Sequence, residues 1–327
     1  MIVSGTDPQA IAEAARTVAA GELVAFPTET VYGLGADASS DTAVAKIFAA
    51  KGRPSDHPLI VHIAGAAQVT DYASAVPLFA QKLMQAFWPG PLTVILPRRP
   101  GVAAAAAGGQ DSIGLRCPAH PVALAFLQAC KTGVAGPSAN RFGRVSPTTA
   151  LHVAGEFGDD LLVLDGGPCD VGIESSIVDC TRGRPVLLRP GVLSRQQLEA
   201  ACGETVLDQD GLLADTAAPR APGTLASHYA PDAKVRLMDT KAIQTALDVL
   251  GKDAAHIAVY ARSIVRIQSD NVLYRRMPDD AVATAQQLFA VLRDFDAKGA
   301  KLIWIETLPE AEAWDGVRDR LGRAAAA

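Results

Sequence analysis

The spacing of apolar residues in the first 200 positions follows two patterns, one typical of helices and one typical of short buried strands. Asp7 and Ser40 stand where helical spacing begins and suit helix N-caps. Gly21 and Gly52 suit helix C-terminal caps, and Pro54 prevents the second helix from continuing. Helices are therefore predicted at about 7–21, 40–52, 76–87, 119–130 and 147–154.

Short runs of consecutive apolar residues, bounded by Gly and Pro, predict strands that are buried between the helices. The strands after Leu161 do not alternate regularly with helices, so a mixed sheet is expected rather than a purely parallel one. The strands are predicted at 23–26, 59–63, 92–96, 112–115, 134–135, 161–164, 176–179 and 186–188.

The composition changes after about Gly203, which predicts a second domain. Residues 208–222 are small, polar and punctuated by proline, as in a linker. We predict domains at 1–205 and 232–327, joined by a linker or lid at 206–231. The second is Rossmann-like but lacks the glycine fingerprint of nucleotide binding. Its predicted strands are 235–238, 257–260, 272–274 and 302–305, and its helices are 241–250, 278–298 and the C-terminus.

The composition of this 327-residue chain argues against some classes of function. Its net charge of −5 disfavours stable, nonspecific nucleic-acid binding, which needs a basic surface. The N-terminus has no signal-peptide pattern, and no apolar run reaches the roughly 18 residues that span a membrane. We therefore expect a cytoplasmic protein that does not bind membranes. The five widely spaced cysteines are expected to be small, reduced core residues.

Lys51 and Arg53 flank a glycine where the second helix is predicted to end. Cations at that position can simply offset the negative end of the helix dipole. The chain continues through 54–58 as an irregular loop, however, and Lys and Arg on such a loop could clamp a triphosphate. Both interpretations remain open from these residues alone.

Other polar residues lie where predicted strands end. Thr28 and Thr30 follow the first strand and either cap a turn or point into a cleft at the edge of the sheet. His62 interrupts an apolar strand, as a core residue or as a ligand-binding one. Arg116 and Arg189 each end an apolar strand, and two such arginines indicate an anionic ligand.

Turn-forming segments around Ser138, Asn140 and Ser146 could bring hydroxyl and amide groups against a phosphate. The chain has no Walker loop or dinucleotide fingerprint, so a nucleotide would be held in another way. No serine has a Gly-x-Ser-x-Gly setting, so covalent serine catalysis is not expected.

Eight motifs in the first 200 residues, taken in order, closely resemble those of the YrdC-type threonylcarbamoyl-AMP synthases, and jointly they are highly specific. The linker end at 221–231 (APGTLASHYAP) resembles the longer, two-domain form of the family. The C-terminal module fits that form by position and pattern only. The motifs are 26–35 (FPTETVYGLG), 51–54 (KGRP), 58–62 (PLIVH), 88–93 (WPGPLT), 116–121 (RCPAHP), 137–140 (PSAN), 146–148 (SPT) and 187–191 (LLRPG).

The resemblance implies an α/β fold, with a YrdC-like domain on a twisted mixed sheet and a small C-terminal Rossmann-like domain. It also implies the reaction, in which L-threonine, bicarbonate or CO₂, and ATP give threonylcarbamoyl-adenylate and diphosphate. The product would feed a downstream transferase that modifies an adenosine beside the tRNA anticodon. ATP is then a substrate with Mg²⁺ as its expected companion, and no residue is predicted as a metal ligand.

By the same resemblance, Lys51 and Arg53 are the catalytic residues, which stabilise charge on the phosphoryl oxygens. Tyr229 would fold back from the linker over the nucleotide, and His57 stands where many relatives carry asparagine. Threonine is expected to contact Thr30, His62, Arg116, Gly136 and Ser175. ATP is expected to contact Lys51, Arg53, His57, Ser112, Ser138, Asn140, Ser146, Arg189 and Tyr229.

Three other functions compete with this interpretation. A double-stranded RNA-binding module without catalysis is the main alternative, and the acidic charge and missing basic stripes disfavour it. A carbamoyltransferase of hydrogenase maturation shares this domain type but would need zinc-binding cysteine pairs. A dehydrogenase would need a Gly-x-Gly-x-x-Gly turn after the first strand of the C-terminal module.

Overall fold

The computed structural model describes residues 1–208, 219–225 and 227–327, which form two compact units. The first unit comprises 1–142 and 146–224, and the second comprises 143–145 and 225–327. Residues 209–218 and 226 of the predicted linker lie outside the described residues. Each unit combines helices with a sheet, so the predicted α/β class is confirmed.

Most of the described helices begin at a side chain that caps the first turn. Asp7 accepts a hydrogen bond from the N–H of Gln9, and Ser40 accepts one from that of Ala43, as expected for N-caps. Gly52 ends the second helix in the left-handed conformation, with φ 64°. The helices are α1 (Pro8–Ala19), α2 (Asp41–Lys51), α3 (Val69–Tyr72), α4 (Leu78–Phe87), α5 (Pro121–Cys130), α6 (Ala150–Phe157), α7 (Arg195–Cys202), α8 (Thr240–Leu250), α9 (Ala281–Ala297) and α10 (Asp315–Ala325).

The first unit is built on one mixed sheet. Its described strands are β1 (Ile2–Ser4), β2 (Val24–Phe26), β3 (Gly33–Asp37), β4 (Ile60–His62), β5 (Leu92–Pro97), β6 (Ser112–Arg116), β7 (Val134–Ala135), β8 (Leu162–Asp165), β9 (Ser176–Asp179), β10 (Val186–Arg189) and β11 (Leu207–Asp208). They hydrogen-bond in the order β1-β8-β2-β3-β7-β4-β6-β5-β9-β10-β11. β6 pairs in parallel with β4 and antiparallel with β5, which confirms the expected mixture.

Both faces of this sheet are packed, but by different parts of the chain. Ala25 joins a core that includes residues of α2, α4, α6 and α7, while Phe26 packs on the opposite face with α1 and α5. Over β4, β5, β9 and β10 that second face carries Ala221, which packs with Ile60 and Ile95. We call residues 219–224 the strap. The strap therefore covers a part of the sheet on which predicted ligand-binding residues lie.

The second unit contains a parallel sheet, which matches its expected Rossmann-like character. Its strands are β12 (Lys234–Met238), β13 (Ile257–Ala261), β14 (Val272–Arg276) and β15 (Leu302–Glu306). They lie in the order β12-β15-β13-β14. The short stretch 143–145 belongs to this unit, where Arg144 pairs with both carboxylate oxygens of Asp232 at 2.8 and 2.9 Å.

The pattern of apolar residues does not predict β1, β3, α3, α7 or β11, and β11 lies within the stretch predicted as linker. In β3 the glycines hide the strand signal, but the structure requires them. A Cβ on Gly33 would lie 2.9 Å from the ring of Phe26, and one on Gly35 would lie 2.8 Å from Val134. Throughout the described ranges, no helix has both the length and the apolar character needed to cross a membrane.

Candidate active site

One face of the first sheet gathers side chains that are far apart in the sequence. His62 on β4 and Arg116 on β6 are register partners in a parallel pair, and Ser112 lies four residues before Arg116 on the same face. Ser175 stands just before β9, and its hydroxyl lies 2.8 Å from that of Thr93 on β5. The alternation of the strands thus brings these residues to one surface.

Arg116 is only 3% exposed, and three partners hold its guanidinium. Nη2 forms an ion pair with Glu29 Oε1 at 2.6 Å, and Nη1 donates to Thr30 Oγ1 at 2.8 Å. Nε donates to the carbonyl of Gly90 at 3.3 Å. The second oxygen of Glu29 accepts from the N–H of Ala119 at 3.1 Å. Arg116 is therefore a buried, oriented cation and not a solvent-facing strand end.

Thr28 and Thr30 form a turn that leads into β3, so they cap no helix. The Thr28 hydroxyl accepts from the N–H groups of Thr30 at 3.1 Å and of Val31 at 3.2 Å. It also lies 2.8 Å from the Thr30 hydroxyl. The turn fixes the oxygen to which Arg116 donates.

His62 is buried and uncharged. Its Nε2 lies 3.0 Å from the carbonyl oxygen of Gly136, and its ring meets that of Phe26 edge-on with centroids 5.4 Å apart. Burial, and then the charge of Arg116, lower the pKa of His62 to about 3. Because Nε2 must carry the proton to donate to a carbonyl, Nδ1 is an acceptor, and it is buried without a hydrogen-bond partner.

Gly136 approaches His62 so closely that a side chain would meet the ring. A Cβ there would lie 2.8 Å from Cδ2 of His62 and 3.1 Å from Cζ of Phe26. Its carbonyl fixes the imidazole, and a contact between Gly136 and threonine stays a prediction.

Arg189, at the end of β10, holds the residue that precedes β9. Nε and Nη2 donate to the carbonyl of Ser175 at 3.1 and 2.9 Å, and Nη2 donates to its hydroxyl at 3.2 Å. Nη1 donates to the carbonyl of Pro222 in the strap at 3.0 Å. Pro222 and Arg220 also line a narrow cavity beside Ser112. Arg189 thus joins Ser175 to the strap.

Lys51 and Arg53 are buried, so they are not simply charges at an exposed helix end. The ammonium of Lys51 donates to the carbonyl oxygens of Ser138, at 2.6 Å, and Asn140. Burial, followed by the charge of Arg53, lowers the pKa of Lys51 well below its usual range. Nη2 of Arg53 donates to the carbonyl of Pro58 at 2.9 Å.

Glu174 connects the two groups of residues. Its Oε1 accepts a hydrogen bond from the hydroxyl of Ser146, and its charge acts on Lys51. Because Glu174 directly precedes Ser175, the residues predicted to contact phosphate adjoin those predicted to contact threonine.

Two residues predicted to contact ATP, His57 and Tyr229, contact other aromatic rings in the structure. His57 meets the ring of Phe142 edge-on at 5.6 Å, and the guanidinium of Arg53 lies 5.6 Å from the same ring centre. Tyr229 belongs to the second unit, where it is buried and stacks on Phe289 with centroids 5.6 Å apart. A contact between Tyr229 and the nucleotide stays a prediction.

Sequence reasoning assigned no role to Glu29, Thr93 or Glu174, although each contacts a predicted site residue. Glu29 and Thr93 stand inside the quoted motifs, and Glu174 adjoins Ser175. Local sequence patterns gave no signal for their roles, because the partner of each residue is distant in the chain.

All five cysteines are free thiols, four of them buried and Cys130 half-buried. Burial is the main cause that raises the pKa of Cys117 to about 11 and that of Cys130 to about 12. Within the described residues, no three or more His, Cys, Asp and Glu side chains come together as they would around a metal. The described acidic side chains therefore form no metal-binding cluster.

Two family models match the chain. Residues 16–191 match the Sua5/YciO/YrdC model, described as "Telomere recombination". Residues 193–326 match the model described as "Threonylcarbamoyl-AMP synthase, C-terminal domain". Together the matches span both units.

Known proteins resemble the chain over nearly its full length. A threonylcarbamoyl-AMP synthase from Pyrococcus abyssi is 39% identical over 320 residues, which are 95% of this chain and 92% of the relative. One from Bacillus subtilis is 38% identical over 331 residues, 99% of this chain and 94% of the relative. The crystal structure of P. abyssi Sua5 complexed with L-threonine superposes with a TM-score of 0.89 at 37% identity, covering 99% of this chain and 97% of that one.

Proposed function

Because the chain belongs to the Sua5/YciO/YrdC family of threonylcarbamoyl-AMP synthases, we propose that it joins L-threonine, bicarbonate or CO₂, and ATP into threonylcarbamoyl-AMP and diphosphate. The observation that carries this function is the buried, oriented Arg116 beside Thr30 and His62. The segment 136–140 links this group to the buried ammonium of Lys51, because the carbonyl of Gly136 contacts His62 and that of Ser138 accepts from Lys51. A guanidinium suits the carboxylate of an amino acid, and buried cations suit the phosphates of a nucleotide.

Arg116 is the proposed ligand of the threonine carboxylate. Three of its five N–H groups are used by Glu29, Thr30 and Gly90. One N–H remains on each terminal nitrogen, which is the number that a two-point contact with a carboxylate needs. The unpartnered Nδ1 of His62 then accepts a hydrogen bond from the amine or hydroxyl of the substrate.

Lys51 and Arg53 are the proposed phosphate ligands, with Ser138, Asn140 and Ser146 around them. Lys51 holds the backbone of the 138–140 turn, so it also shapes the surface that a nucleotide would meet. Its ammonium must turn from carbonyl to phosphate oxygens to act directly. Buried cations stabilise phosphoryl charge strongly because little water competes.

The proposed chemistry consists mainly of positioning. The uncharged amine of threonine adds to CO₂, which forms a carbamate and releases a proton. An oxygen of the carbamate attacks the α-phosphorus of ATP, and the bond to diphosphate breaks. Positive side chains stabilise the charge on the phosphoryl oxygens, and no side chain needs to act as a nucleophile.

Mg²⁺ is part of the proposal as a companion of ATP. The described residues provide no cluster of acids for it, and Glu174 is engaged by Ser146. The ion would therefore depend on phosphate oxygens and water, which is common for Mg²⁺.

The product is a reactive mixed anhydride, so a downstream transferase must accept it. We propose the tRNA threonylcarbamoyladenosine machinery as that partner, without stable RNA binding by this chain. No observation favours a double-stranded RNA-binding module, and the net charge of −5 disfavours it.

Diphosphate release by the wild-type protein should require threonine, bicarbonate and ATP together. Replacing Lys51 or Arg53 with alanine should lower the rate at least about a hundredfold, as removal of charge stabilisation does. Lys46→Ala is the matched control, because Lys46 lies on the same helix but is exposed and pairs with Glu22. Wild-type rates in folded Lys51→Ala and Arg53→Ala would remove both residues from catalysis.

A further inference from the structure

Glu29 is a buried acid that the proposed chemistry does not yet use. It is 7% exposed, and both oxygens of its carboxylate have partners, Nη2 of Arg116 and the N–H of Ala119. Its own carbonyl accepts from the N–H of Val171 at 2.7 Å. Three contacts from two segments of the chain, 116–119 and the one around Val171, thus hold Glu29 in one position beside the arginine.

The Arg116–Glu29 ion pair has no net charge, although a buried guanidinium is a group to which anions bind. A lone buried guanidinium would attract any carboxylate, because attraction is strong where water is excluded. Glu29 cancels that general attraction and places a negative charge beside the positive one. An α-amino acid carries both charges as well, so its ammonium and carboxylate can complement the pair. A carboxylate without an amino group cannot.

We infer that Glu29 is a specificity-determining and positioning residue, which makes the Arg116 pocket select zwitterionic amino acids over simple carboxylates. This inference rests on the proposed function, because it takes threonine to be the ligand of that pocket. Glu29 acts through its charge and through Arg116, and it takes no part in bond making.

The geometry of Arg116 supports this role. Glu29 uses one N–H of Nη2, and Thr30 uses one of Nη1, so each terminal nitrogen keeps one donor. The guanidinium plane is thereby fixed while its capacity for a carboxylate is retained. The substitution Glu29→Gln would keep the size of the side chain and one acceptor but would remove the charge.

The test compares binding of threonine with binding of 3-hydroxybutyrate, which is threonine without its amino group. In the wild type, the Ki of 3-hydroxybutyrate as an inhibitor of diphosphate release should greatly exceed the KM for threonine. In Glu29→Gln the ratio of Ki to KM should fall about tenfold or more, because the pocket becomes cationic. The KM for ATP should stay within about twofold of the wild-type value, because the substitution changes the charge only beside the threonine site.

Two further variants separate this role from a loss of structure. Glu29→Asp keeps the charge and should retain most of the wild-type ratio. Asp179→Asn removes another buried ion pair, that with Arg182 at 2.8 Å, and should leave the ratio unchanged.

Each outcome either supports or overturns the role of Glu29 in specificity. A wild-type ratio in Glu29→Gln, or an equal fall in Glu29→Asp, would overturn the specificity role. Loss of folded protein in both variants, seen by thermal unfolding, would show that Glu29 serves the fold instead. If the wild-type protein releases no diphosphate with threonine, the proposed function itself fails, and the inference falls with it.

Discussion

Buried polar side chains of the first unit owe their states to a few specific neighbours. Arg116 is oriented by Glu29 and Thr30, and Lys51 is held by two backbone carbonyls. His62 is kept neutral by burial and by the charge of Arg116. Arg116 and His62 are thus fixed before any ligand binds, which lowers the cost of ordering them in a complex, whereas Lys51 must turn to reach a phosphate.

The neutral state of His62 predicts how stability depends on pH. Its pKa is about 3 in the folded protein and near 6.5 in an unfolded chain, so between these values the unfolded state binds a proton that the folded state does not. The stabilisation is present above about pH 6.5 and is lost as the pH falls toward 3. On going from pH 7 to pH 5, His62 should cost the protein about 2 kcal/mol of unfolding free energy.

Urea unfolding at the two pH values measures this effect. His62→Gln should lose about 2 kcal/mol less than the wild type between them. His256→Gln is the control, because His256 is exposed and should leave the wild-type dependence intact. An identical loss in the wild type and in His62→Gln would show that His62 is not buried neutral.

The sequence predicted the roles of some site residues but not of others. His62 and Arg116 stand out because each is polar at a buried strand position, and the family resemblance gave both a ligand. Glu29 was not predicted, because its importance comes from Arg116, which lies 87 residues away and reaches it only through the fold. Such a pair leaves no mark in local periodicity.

Among the elements, short strands carry most of the site. The two-residue alternation of β4, β5 and β6 presents His62, Thr93 and Arg116 on one sheet face. The same face is covered by the strap, in which Ala221 is buried. We propose that the strap acts as a lid over the nucleotide, because it contacts Arg189 and lies beside Ser112.

The side-chain amide of Gln110 holds the strap to the loop before β6. Oε1 of Gln110 accepts from the N–H of Arg220 at 2.8 Å, and its Nε2 donates to the carbonyl of Arg220 at 3.2 Å. Gln110→Ala removes both bonds, each worth about 1 kcal/mol, so the KM for ATP should rise about five- to thirtyfold. Steady-state kinetics with varied ATP measures the change.

The second unit offers a matched control for this prediction. Gln244 pairs with the backbone of Arg266 in the same way, at 2.7 and 3.1 Å, so Gln244→Ala should leave the KM for ATP unchanged. A lower KM for ATP in Gln110→Ala would mean that the strap blocks the nucleotide instead of enclosing it.

Most elements were predictable because their boundaries rest on local chemistry, as with the caps at Asp7 and Ser40. β3 was not, because its glycines are required by the ring of Phe26, which comes from another strand. The packing of Ala221 on β4 and β5 is equally non-local. Sequence patterns report neighbours along the chain, and these contacts join distant segments.

At the scale of the molecule, the change of composition near residue 203 predicts two domains, and the described chain divides into two compact units. The stretch 143–145 is the part that no local pattern could assign. It lies between Asn140 and Ser146 in the sequence but belongs to the second unit, where Arg144 pairs with Asp232. Only contacts in the three-dimensional structure show that residues 143–145 belong to the second unit.

The proposed function requires the chain to form an adenylate of carbamoylated threonine. Incubating the purified protein with ATP, ¹³C-labelled bicarbonate and L-threonine, and identifying any adenylate by mass spectrometry, tests this reaction. The expected product is threonylcarbamoyl-AMP that carries the labelled carbon and is absent when bicarbonate or threonine is withheld. Threonyl-AMP without the label, or no adenylate from the folded protein, would contradict the claim.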